Sequence, residues 1–217
     1  MVDVGAHNGG SLLPFARRGW RVLAFEPDPT NRAALKTRVA GLDNVTIDTR
    51  AVGAIGAEGV AFFGSHVSSG ISSLSAFHES HHQVTKVDVT TLENAFREHR
   101  VNEVCFLKVD AEGHDLLVLK GFPWEQVTPE VVLCEFENSK TKSLGYDFDD
   151  LAGFLNDLGF AVLVSEWYPI ERYAGKHRWR SVREYPCDLD DASGWGNLIA
   201  SKDRALLRTI SRILDYR

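Results

Sequence analysis

Asp3, Gly5, His7, Asn8 and Gly9 sit together within and just after a short strand-like run, Val2–Val4. Glycines that follow a strand let backbone N–H groups and a helix N-terminus approach a ligand closely. The dinucleotide pattern G-x-G-x-x-G keeps a glycine where a pyrophosphate passes. Here the spacing is Gly5-x-x-x-Gly9-Gly10, and His7 takes the middle position. A bulky residue there disfavours NAD and suits a ligand whose polar end is an amino acid. Roughly twenty residues on, a second apolar run, Trp20–Phe25, ends in Glu26. A strand-end acid so placed accepts hydrogen bonds from both hydroxyls of a ribose. A nucleoside that carries an amino acid is S-adenosylmethionine, and that is the expected cofactor.

A second group of reactive side chains lies further along, in Lys108-Val109-Asp110-Ala111-Glu112-Gly113-His114, with Glu135 inside the apolar run Val131–Phe136. Asp110 and Glu112, close on one turn, repel each other, which raises one carboxyl toward the range of a useful general base. Asp110, Glu112, His114 and Glu135 are the candidate bases. Glu112 equally suits the N-terminus of the following helix, and His114 suits that helix's surface. Glu135 would be a costly buried charge without a partner, so it is expected to meet a polar site. Phe77-His78-Glu79-Ser80-His81-His82 has the composition of a metal tract but lacks a second ligand group at a known spacing, and reads as a solvated loop. Asp110 and Glu112 lack the further oxygen ligands a magnesium ion needs, so no metal is expected.

The elements that must position these residues follow from the hydrophobic pattern. Val2–Val4, Trp20–Phe25, Asn44–Ile47, Glu103–Val109 and Val131–Phe136 are short, mainly apolar runs of strand type, whereas Ser11–Arg18, Thr30–Val39, Asp115–Leu119 and Phe148–Leu158 have helix character. Apolar strands separated by helices predict a parallel sheet covered on both faces. Ala161–Val164 and Leu198–Ala200 are expected as later strands, and Leu206–Leu214 as a closing amphipathic helix. Val60–Phe63 and Val84–Val89 alternate as edge strands do, around a Ser/Gly-rich loop, and predict an insertion at about 57–89 within a single domain of 217 residues.

Three blocks, "VDVGAHNGG…VLAFEPDP", "FLKVDAEGHDLLVLKG" and "VVLCEFEN", resemble the FkbM family of S-adenosylmethionine-dependent O-methyltransferases. The likeness runs from about Val2 to Asn138, and Lys108–Gly113 is its most specific part. It implies a Rossmann-like α/β fold: a seven-stranded, mostly parallel methyltransferase sheet with an antiparallel last strand. It assigns the Asp3–Gly9 turn to the methionine end of the cofactor, Glu26 with Pro27 to the ribose, and Ala51, within Asp48–Val52, to the neighbourhood of the adenine. Asp110 would end the fourth strand, where the methyl group emerges. Members usually carry a segment before the first strand, which here begins at once; a shortened chain or a minimal member both fit.

The acceptor is expected over the segment at about 167–186, which interleaves Trp167, Tyr168, Tyr173, Trp179 and Tyr185 with Arg172, Lys176, Arg178, Arg180 and Arg183. Aromatic faces pack on sugar rings and arginines hold anions, so a sugar, glycan or polyketide-type acceptor is expected, and an anionic one fits the arginines. Single-stranded RNA is the competing partner, and a formal charge of -6 weighs against it. A nicotinamide-dependent oxidoreductase and an idle cofactor-binding module are the alternative functions. The three cysteines are scattered, and no run reaches the roughly 18 apolar residues of a membrane span, so a cytoplasmic protein is expected. Nothing in the sequence indicates an oligomeric state.

Overall fold

The computed structural model describes residues 1–172 and 175–215. Tyr173, one of the expected acceptor-side aromatics, lies outside the described residues. The chain runs β1 (Val2–Val4), α1 (Leu13–Ala16), β2 (Val22–Phe25), α2 (Pro29–Arg38), β3 (Val45–Asp48) and β4 (Ala51–Val52). It continues through β5 (Ala57–Ser65), β6 (His81–Thr90), α3 (Leu92–His99), β7 (Phe106–Val109), α4 (Asp115–Lys120) and β8 (Val131–Glu137). The remaining elements are α5 (Asn138–Thr141), α6 (Phe148–Asp157), β9 (Ala161–Trp167), β10 (Trp179–Glu184), β11 (Trp195–Ser201) and α7 (Arg204–Asp215).

The large sheet has the order β10-β9-β11-β8-β7-β1-β2-β3. Strands β3, β2, β1, β7 and β8 are parallel, and β11 runs antiparallel between β8 and β9. The antiparallel last strand is therefore present, but the sheet has eight strands rather than the expected seven. The addition is β10, antiparallel to β9 at the edge. Part of the segment at about 167–186 is thus a hairpin. It is fastened by Arg180 and Arg183, which both reach the fully buried Glu166 and the exposed Asp190. The insertion forms its own three-stranded sheet, β4-β6-β5.

Alternation along the strands separates two faces. Val2, Val4, Leu23, Phe25, Leu107, Val109, Val132, Cys134 and Phe136 pack into the main core with α3, α4 and α6. On the opposite face Val22 and Ala24 meet α1 and α2, while Ala161, Leu163 and Ile199 meet Leu207 and Ile210 of α7. Between those two patches this face carries charge: Asp3 of β1, Lys108 of β7 and Glu135 of β8. The turn after β2 is fixed by capping, since Asp28 accepts from the N–H groups of Thr30 and Asn31 at 2.8 and 3.1 Å and Pro29 starts the helix. Among the described residues no helix is long and apolar enough to cross a membrane.

Candidate functional site

The turn after β1 is shaped by what it must pass. Gly5 has a φ of +74°, and a Cβ there would lie 1.9 Å from the Asp110 carbonyl oxygen. Only glycine permits β1 and the end of β7 to come so close. The Gly5 and Ala6 N–H groups both donate to the Phe25 carbonyl, at 3.1 and 3.0 Å, which ties the turn to the end of β2. His7 follows at a φ of +50°, and its N–H donates to Glu26 Oε2 at 2.6 Å. The Asp28 N–H donates to the other oxygen, Oε1, at 2.8 Å. Burial pushes Glu26 up to about 7, although both backbone donors favour its ionised form.

Glu26 lies on the wall of a cleft of about 290 Å³ at the carboxyl ends of β1, β2 and β7. Gly5, His7, Pro27 and Ala51 line it, and Asp110, Glu112 and His114 form the far side. Phe25, Val52 and Phe62 supply apolar surface. Asp3, Asn8 and Gly9, expected with the cofactor, stand behind the wall of this cavity rather than in its lining. Asp3 is fully buried, accepting from Ser11 Oγ at 2.7 Å and paired with Lys108 at 3.1 Å. Asn8 accepts from Arg38 at 2.8 Å, and Gly9 makes room for Leu35, whose Cδ1 would stand 2.6 Å from an added Cβ. These three shape the turn from behind. Asp48 also stays outside, bound by Arg50 and His99.

The loop from Ser68 to Ser75 spans the cleft. Ser69 Oγ meets His7 Nε2 at 2.9 Å, and Asn31 Nδ2 donates to the Ser69 carbonyl at 2.9 Å. On the other side Ser73 Oγ donates to the Glu112 carbonyl at 3.0 Å, and Ser75 Oγ meets His114 Nε2 at 2.9 Å. Burial depresses His114 to about 4, so the ring is neutral at pH 7 and a weak base.

Asp110, Glu112 and Glu135 each bring one carboxylate oxygen within 4.8 Å of the others. The cation among them is Lys140, whose Nζ is 2.7 Å from Glu112, 2.7 Å from Glu135 and 3.0 Å from Glu137. The partner that Glu135 was expected to require is therefore this lysine, 2 % exposed. Burial drives Glu112 up to about 7 and Glu135 well above the ordinary carboxylate range, and Lys140 offsets only part of that. Lys108 makes a second bridge, from Asp3 to Asp110 at 3.4 Å, while Asp110 Oδ1 is buried with no partner. Sequence reasoning did not assign either lysine. Lys108 lay inside the quoted block, whereas Lys140 had only the weak signal of following Glu137 by three residues. The histidine tract contributes to neither of the two three-residue clusters of metal-ligand type found among the described residues; His81 Nε2 is hydrogen-bonded to the Ile71 carbonyl at 2.9 Å.

From this cluster an aromatic row crosses the sheet. Glu137 pairs with Trp195, Trp195 with Trp167, and Trp167 with Trp179. The rings of Trp167 and Trp195 are 5.6 Å apart, and His177 packs edge-on against Trp195. Arg178 lies over the Tyr168 ring at 3.8 Å. Of the expected members, Tyr185 packs against Phe148 and the main core, Arg183 is committed to Glu166 and Asp190, and Arg180 reaches the same two acids while lying 4.8 Å from the centre of the Tyr168 ring. Trp195, not anticipated, takes a central place.

Comparison with known proteins agrees with this geometry. Residues 3–162 match the model of the methyltransferase FkbM domain. A solved FkbM methyltransferase from Methylobacillus flagellatus KT aligns over 92% of this chain and 42% of its own, with 18% identity and a TM-score of 0.52. The chain thus spans less than half the length of that protein. A precorrin-6y C5,15-methyltransferase from Geobacter metallireducens GS-15 aligns over 93% of this chain and 79% of its own, at 12% identity and a TM-score of 0.48. No curated protein matches the chain. The chain belongs to the FkbM methyltransferase family.

Proposed function

We propose that this FkbM-family chain uses S-adenosylmethionine to methylate a hydroxyl group of a sugar, glycan or polyketide-type small molecule. The observation that carries the reading is one cavity with a backbone-held carboxylate, Glu26, at one end and Asp110 with Glu112 at the other. The residues fit the cofactor. Glu26 keeps free lone pairs beside its two backbone donors and suits a ribose diol. Asp110 Oδ1, buried without a partner, suits a cationic or N–H group. Phe25, Val52 and Phe62 with Ala51 suit the base, and the Gly5–His7 turn the amino-acid end.

When bound, S-adenosylmethionine supplies a methyl group made electrophilic by its sulfonium. The protein's part is to place the acceptor oxygen, remove its proton and exclude water. Positioning of this kind is worth on the order of 7–11 kcal/mol. Glu112, backed by Glu135 across Lys140, takes the proton, since an acid near 7 is matched to that task at neutral pH. The Ser68–Ser75 loop keeps the cleft dry. Trp195, Trp167 and Tyr168 with Arg178 offer the acceptor a stacking surface next to Glu137. A net charge of -6 favours a small molecule or glycan over nucleic acid, and three unpaired cysteines suit the cytoplasm.

Thermal unfolding tests the cofactor: S-adenosylhomocysteine should raise the midpoint and NAD should not. A shift with NAD alone would discard the reading. Methyl release from labelled donor across a glycan panel tests the reaction, with Asp110→Asn as control. Turnover on a hydroxyl acceptor that falls in the variant is expected; silence on every acceptor would remove the O-methylation proposal, and equal turnover the role of Asp110.

A further inference from the structure

Lys140 belongs to α5, a single turn directly after β8. Its stem passes beneath Gly113, where an added Cβ would meet Lys140 Cβ at 2.9 Å and the lysine carbonyl at 3.3 Å. Its ammonium lies 5.6 Å from the centre of the Phe77 ring. The backbone therefore delivers the lysine under the Glu112 turn, with almost no access to water.

The groups facing it are unequal in number. Glu112 comes from the turn after β7, Glu135 and Glu137 from β8, all within 3.0 Å of Nζ. Asp110 and Asp115 stand close enough to add negative potential, and Lys108 is engaged by Asp3 and Asp110. His114, the other basic group of this turn, is neutral. Glu137 has a second donor, Ser139 Oγ, at 2.5 Å. One ammonium cannot balance three carboxylates in a dry site, because each uncompensated charge there is strongly disfavoured.

We infer that Lys140 is a positioning residue which makes Glu112 and Glu135 share one proton, and that this half-protonated pair is the group that accepts the proton of the substrate hydroxyl. The inference rests on the methyl-transfer reading for its role in catalysis but not for the proton count. The proton leaves the acceptor oxygen for the vacant carboxylate position of the pair and passes to water after product departs, so the pair ends as it began. Glu137 is the third claimant on the ammonium, and it also accepts from Ser139 Oγ. The titration of such a pair belongs to both acids together. Burial, which raises Glu112 to about 7, agrees with a pair that sheds its proton near neutrality.

The test uses the ligand-free chain first. Carboxyl infrared difference spectra between pH 5 and 9 should show near pH 7 one component that disappears in Glu112→Gln, which assigns it to the pair, and a second that remains there and disappears in Glu26→Gln. Lys140→Met removes the countercharge with little change of length and should move the pair's midpoint up by about one pH unit or more. Glu137→Gln frees the ammonium for the pair and should move it down. Lys140→Arg, which keeps the charge, should restore much of the native midpoint. In the enzyme assay the rising limb of the pH–rate profile should move the same way in each variant. Binding of S-adenosylhomocysteine checks that Lys140→Met is folded; where it is not, Glu137→Gln and the native chain decide. A midpoint that does not move in Glu137→Gln, or a rate in Lys140→Met depressed equally at every pH, would overturn the inference. Failure to methylate any acceptor would instead count against the proposed function, and the infrared result would stand separately.

Discussion

Glu26 and Glu112 face the same cleft, and burial lifts both to about 7, yet they are held in opposite ways. Glu26 accepts from two backbone N–H groups, those of His7 and Asp28, which the chain trace fixes and which cannot change charge. Glu112 depends on a side chain, Lys140, that serves Glu135 and Glu137 as well. A carboxylate held by two backbone donors keeps its position whether or not it carries a proton, which suits recognition. A carboxylate held by an overcommitted lysine can gain or lose a proton at little cost, which suits catalysis.

Exchange of the two carboxylates for uncharged groups gives the largest effects and tests this division directly. Glu112→Gln should lower kcat by about 10²–10⁴ and leave S-adenosylhomocysteine affinity within a few-fold. Glu26→Ala should do the reverse. Loss of a hydrogen-bonding carboxylate, worth about 1.5–3 kcal/mol, weakens the analogue by roughly 10–100-fold while kcat at saturating donor changes little. Calorimetry and steady-state assays on the same preparations separate the two. Should Glu26→Ala lose kcat and Glu112→Gln lose affinity, the comparison is wrong at both ends.

The two ends also differ in how far the sequence reveals them. Glu26 was legible because local rules place it: an apolar run, an acid, then Pro27-Asp28-Pro29 with its helix cap. The strands were legible for the same reason, being short apolar runs whose order follows from alternation with helices. Lys140 was not, because its role depends on β7 and β8 lying side by side, which brings Glu112 and Glu135 to it from separate segments. Gly5 could be read as a ligand-approach glycine but not as one demanded by Asp110, more than a hundred residues away. Strand β10 was obscured by its arginines, which read as an anion-binding surface until Glu166 and Asp190 are seen to take them. Helix α3 carried a signal that was overlooked, a Thr91 cap ahead of Leu92, Ala95 and Phe96.

A middle-sized effect concerns pH. Glu26, Glu112 and Asp115 have folded-state values of about 7, about 7 and about 6, above the ordinary 4.5, 4.5 and 3.8. The folded chain therefore binds more protons than the unfolded chain across roughly pH 4 to 7. The contribution of these three acids to stability is fully present below that window and is lost as pH rises through it. The thermal midpoint of the ligand-free protein should fall by on the order of 5 °C between pH 5 and 8, measured by calorimetry at constant ionic strength. Glu112→Gln should make the slope shallower. A midpoint that climbs over this range would contradict the burial argument for all three acids.

The smallest effect separates the two ends through the loop that touches both. Ser69 meets His7, whose backbone holds Glu26, and Ser73 donates to the carbonyl of Glu112 itself. Each bond is an ordinary neutral hydrogen bond, worth about 0.5–1.5 kcal/mol. Ser69 is exposed there, whereas Ser73 is 2 % exposed, so loss of the Ser73 bond leaves the partly buried Glu112 carbonyl with one fewer donor. Ser69→Ala should speed release of S-adenosylhomocysteine by about 2–10-fold, read by stopped flow, with single-turnover methyl transfer unchanged. Ser73→Ala should slow the single-turnover step by a similar factor and leave release nearly as it was, because it loosens the turn that aims Glu112 rather than the one that grips the ligand. If both variants altered release alone, the loop would be a cover and nothing more, and the lysine-held end would owe its geometry to Lys140 and Gly113 without help from above.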